Sequence, residues 1–69
     1  MPAAPDIILP VNPDLPRVAH ARLETFARSV ELPSAVMFAV DTALEELLQN
    51  VVDHSDAHEV TLRLSVESG

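Results

Sequence analysis

The sequence predicts an α+β fold, a two-layer half-sandwich in which two helices cover one face of a partial, mixed or antiparallel sheet in the order β-α-α-β. Three observations carry this. Two segments repeat apolar residues every three or four positions, the period of a helix. Residues 60–67 alternate apolar and polar side chains, the period of a half-buried strand. A short apolar run precedes both helical segments. The only aromatics are Phe26 and Phe38, so the core has to be built from Leu, Val, Ile and Ala.

Residues 6–11 form the apolar run, and Pro10 within it marks an edge strand, because proline cannot donate to a ladder. Asn12-Pro13-Asp14-Leu15-Pro16 opens the first helix. Asp14 can accept from the first free N–H groups, and Pro16 loses no intrahelical bond in that turn. Leu15, Ala19, Leu23, Phe26 and Val30 make its apolar stripe, and His20, Glu24 and Arg28 make an i, i+4 ladder on its wet face. Pro33 ends that helix by disfavouring helical geometry at Leu32, and Ser34 can cap the next. The second helix is expected over residues 35–54, with Met37 and Phe38 in the core. After a short loop the strand of residues 59–67 sends Val60, Leu62, Leu64 and Val66 to one face and Thr61, Arg63, Ser65 and Glu67 to the other. Ser68-Gly69 reads as the opening of a hairpin without its return strand. The expectation is a single incomplete domain over residues 1–69.

Eleven acidic residues face four arginines and no lysine, a formal net charge of −7. That charge repels phosphate backbones and anionic lipid, so neither nucleic acid nor a membrane is an expected partner. With no cysteine there is no disulfide framework and no thiolate metal site, which fits a reducing cytoplasm. The first residues lack both a basic region and the apolar core of about 7–15 residues that a signal peptide needs.

Chemistry concentrates on the second helix. Asp41, Thr42, Glu45, Glu46, Gln49, Asn50 and Asp53 share roughly half its circumference, as a solvated helix face would. Glu46, Asn50 and His54 lie at the edge of that arc, and Ala39 and Ala43 in the same sector leave room beside them for a ligand. An Asn oxygen is a good neutral ligand for Mg²⁺, which takes its other contacts from water and phosphates, and a glutamate one turn away can deprotonate a nucleophile.

The segment Ala43-Leu44-Glu45-Glu46-Leu47-Leu48-Gln49-Asn50-Val51-Val52-Asp53-His54 resembles the N-box of the histidine-kinase-like (GHKL, Bergerat-fold) ATPases, most closely the anti-sigma-factor serine kinase branch. That box reads aliphatic-x-E-(A/L)-x-x-N-(A/V)-(V/I)-x-H, and the element order along nearly the whole chain is similar to the family's N-terminal half. The resemblance implies that Asn50 holds the Mg²⁺ that bridges the ATP phosphates, that Glu46 is the catalytic base towards an attacking hydroxyl, and that His54 lies at the nucleotide. It also implies the partners: a sigma factor and a STAS-domain anti-anti-sigma protein phosphorylated on serine. Two features depart from the family. Asp53 stands where a lysine or arginine is common, and the Asp-x-Gly-x-Gly motif and glycine-rich lid are missing, since the single glycine is Gly69. This chain is therefore expected to carry half a site and to be inactive until further sequence or another chain completes it.

Two further readings follow from the residues. A non-catalytic acidic module would complete its open edges by self-association as a homo-oligomer. His54 and His58 would make a Zn²⁺ or Ni²⁺ site if the helix continued through 58, which Asp56 and the nearby strand oppose. No serine or threonine sits in a nucleophile elbow.

Overall fold

The computed structural model describes residues 6–66. Their order is β1 (Ile7–Pro10), α1 (Leu15–Ser29), α2 (Ser34–His54) and β2 (Glu59–Leu62), the expected β-α-α-β arrangement. β1 and β2 pair antiparallel with Ile7 opposite Leu62 and Pro10 opposite Glu59. The Val11 N–H donates to the His58 carbonyl at 2.9 Å, which fixes the alternation of the ladder. His58, Val60 and Leu62 turn their backbone groups to β1, while Glu59 and Thr61 turn theirs outward. Pro10, opposite Glu59, thus has its missing N–H on the side away from β2, and the proline costs the sheet no bond.

Antiparallel pairing also sets Asp6 across from Arg63, whose Nε and Nη2 donate to the two carboxylate oxygens at 2.8 and 3.0 Å. This fork holds the Asp6 carboxyl below its ordinary value and raises the guanidinium. Both side chains are largely exposed, so the pair fixes register more than it adds stability.

The helices pack on the face to which Ile7, Leu9, Val60 and Leu62 point. Leu9, Leu15, Ala19 and Leu48 form the buried cluster, and Leu44, Val51 and Val52 of α2 pack against it. Along α1 the buried positions are Leu15, Ala19, Leu23 and Ala27, with Phe26 half-buried at the margin of the predicted stripe.

Several local expectations are corrected. Asp14 occupies the cap position of α1 but makes no side-chain cap bond; its own N–H donates to Asn12 Oδ1 at 2.9 Å, so the asparagine shapes the entry turn. Ser34 is the first residue of α2 rather than its cap, a position held by Pro33. Phe38 is 74% exposed rather than core. Helix geometry explains this: Met37 shares a sector with Leu44 and Leu48, and the next residue is turned about 100° away from it. The continuous strand ends at Leu62, short of the expected 67, although Ser65 still takes part in a β-bridge and inward and outward faces keep alternating to Val66. Glu67 and the expected Ser68-Gly69 turn lie outside the described residues. Among the described residues no helix is long and apolar enough to cross a membrane.

Candidate functional site

α2 places Glu46, Asn50 and His54 on successive turns, each about 6 Å further along the axis. All three side chains are exposed, and none forms a hydrogen bond or ion pair with another described residue. The helix stops at His54 because Ser55 takes an extended conformation, and the Ser55 hydroxyl accepts from the Ala57 N–H at 3.0 Å to open the loop. His58 is therefore off the helix, and no group of three potential metal-ligating side chains occurs among the described residues.

The space beside the line differs in detail from expectation. Ala39 and Ala43 are exposed and keep one flank of α2 low. The hollow that Glu46 lines, of about 300 Å³, is bounded by Thr42, Glu45 and Gln49 on the other flank. Gln49 there donates to Asp53 Oδ1 at 3.1 Å, which draws the acidic side chain of Asp53 along the helix towards Gln49.

The line offers little donor chemistry of its own for a metal ion. Asn50 offers one neutral carboxamide oxygen, too few for a protein-built cage but the usual protein share when phosphates supply further ligands. Glu46 adds an acceptor one turn away. Glu45, Glu46 and Asp53 make the surroundings acidic, and α2 carries no lysine or arginine to meet phosphate oxygens.

A second polar cluster escaped the sequence reading. Asp41, assigned above to the solvated arc, reaches across to α1 and meets His20 Nδ1 at 2.6 Å. The His20 Nε2 lies 3.7 Å from Glu24, which in turn accepts from Arg28 at 2.9 Å. The predicted ladder on α1 is thus real, and Asp41 ties it to α2. The bond to Asp41, helped by the charges of Asp41, Glu24 and Glu45, raises the pKa of His20. A cleft of about 420 Å³ lined by Pro13, Pro16, Arg17, Glu45 and Gln49 opens beside the pair. The available signal was positional: Asp41 lies one turn from Met37 and Leu44 and two from Leu48, on the margin of the packed side.

This chain matches no family model, no curated protein and no solved structure.

Proposed function

We propose that the chain is the N-terminal portion of an ATP-binding serine/threonine kinase domain of the anti-sigma-factor type, a cytoplasmic regulator acting through a sigma factor and a STAS-domain partner. The observation that carries the reading is the line Glu46, Asn50, His54 on α2: exposed, without a hydrogen-bond or ion-pair partner among the described residues, and next to the exposed Leu47. A helix face serving only solubility has no reason to set bare carboxylate, carboxamide and imidazole groups beside an uncovered Leu47, whereas a face that meets a nucleotide and the rest of its pocket does.

In this reading Asn50 would hold the metal, Glu46 would accept the proton of a serine hydroxyl, and His54 would lie near the phosphates at the end of α2. Magnesium, when bound, neutralises charge on the phosphate oxygens. The half-site supplies metal and base contacts but neither adenine recognition nor a phosphate lid, so it binds weakly by itself.

The test is a titration of the ¹⁵N-labelled chain with ATP, with and without Mg²⁺. Magnesium-dependent shifts centred on the Asn50 side-chain amide are expected. Asn50→Ala should abolish them while changing stability by less than about 0.5 kcal/mol, as for an exposed site. Shifts that survive Asn50→Ala, or that ignore Mg²⁺, would refute the assignment.

A further inference from the structure

We draw no further inference here: the strongest candidate, the apolar groove between α1, α2 and the residues that follow β2, lined by Leu23, Phe26, Leu32, Val36 and Val40, carries none because nothing among the described residues shows what covers it.

Discussion

Glu31 is the one non-glycine among the described residues with a positive φ, at 54°. It follows the C-cap Val30, and its N–H donates to Arg28 while the Leu32 N–H donates to the Ala27 carbonyl at 2.9 Å, a Schellman closure with a glutamate where glycine is usual. Ala27 is buried and Leu32 half-buried beside it in the closure, so the turn is held in a conformation the glutamate side chain opposes. Glu31→Gly should therefore stabilise the chain by about 0.5–1 kcal/mol, the relief of left-handed strain less the added freedom of the unfolded state. A higher urea midpoint at constant slope would show it; a lower midpoint would mean the turn is not held in this geometry. Neither Glu31 nor the exposure of Phe38 was legible beforehand, since Pro33 announced only a break and a phenylalanine beside a methionine gives no hint of which one faces inward.

The contact between α1 and α2 is part apolar and part ionic. His20 and Asp41 join the helices on a half-exposed margin, and the histidine pKa is raised in the folded chain by that bond. A raised folded pKa means that the contribution is fully present below the ordinary histidine value of 6.5 and is lost as pH rises through the folded pKa. Stability should consequently fall as pH is taken from about 6 upward through neutrality, with a proton released on unfolding. His20→Gln should flatten that stretch of the profile when denaturation midpoints are compared across pH. Equal slopes in both proteins would show that the pair contributes nothing measurable. The His20, Glu24, Arg28 ladder was visible as an i, i+4 pattern, but its link to Asp41, 21 residues away, was not.

The whole molecule is open for its size. The Cα radius of gyration is 12.3 Å, against about 11 Å for a compact chain of this length, and among the described residues the buried core is Leu9, Leu15, Ala19, Leu23, Ala27 and Leu48. So few residues leave a narrow margin, because a core in a chain this small rarely supplies more than about 3–5 kcal/mol. Leu23, 2% exposed, should cost about 2–5 kcal/mol on truncation, enough for Leu23→Ala to unfold much of the population at 25 °C by circular dichroism. Leu47→Ala, at 59% exposure, should leave the spectrum unchanged and serves as the control. By itself the sequence determined the β-α-α-β order, the faces of the second strand, the stripe of α1 and the alignment of Glu46, Asn50 and His54, because each follows from the fixed periods of helix and strand. Tertiary structure alone decided that Asp41 meets His20 and that Phe38 and Leu47 stay exposed. Those outcomes depend on the angle at which one element packs on another, a property of many residues at once that no local period encodes.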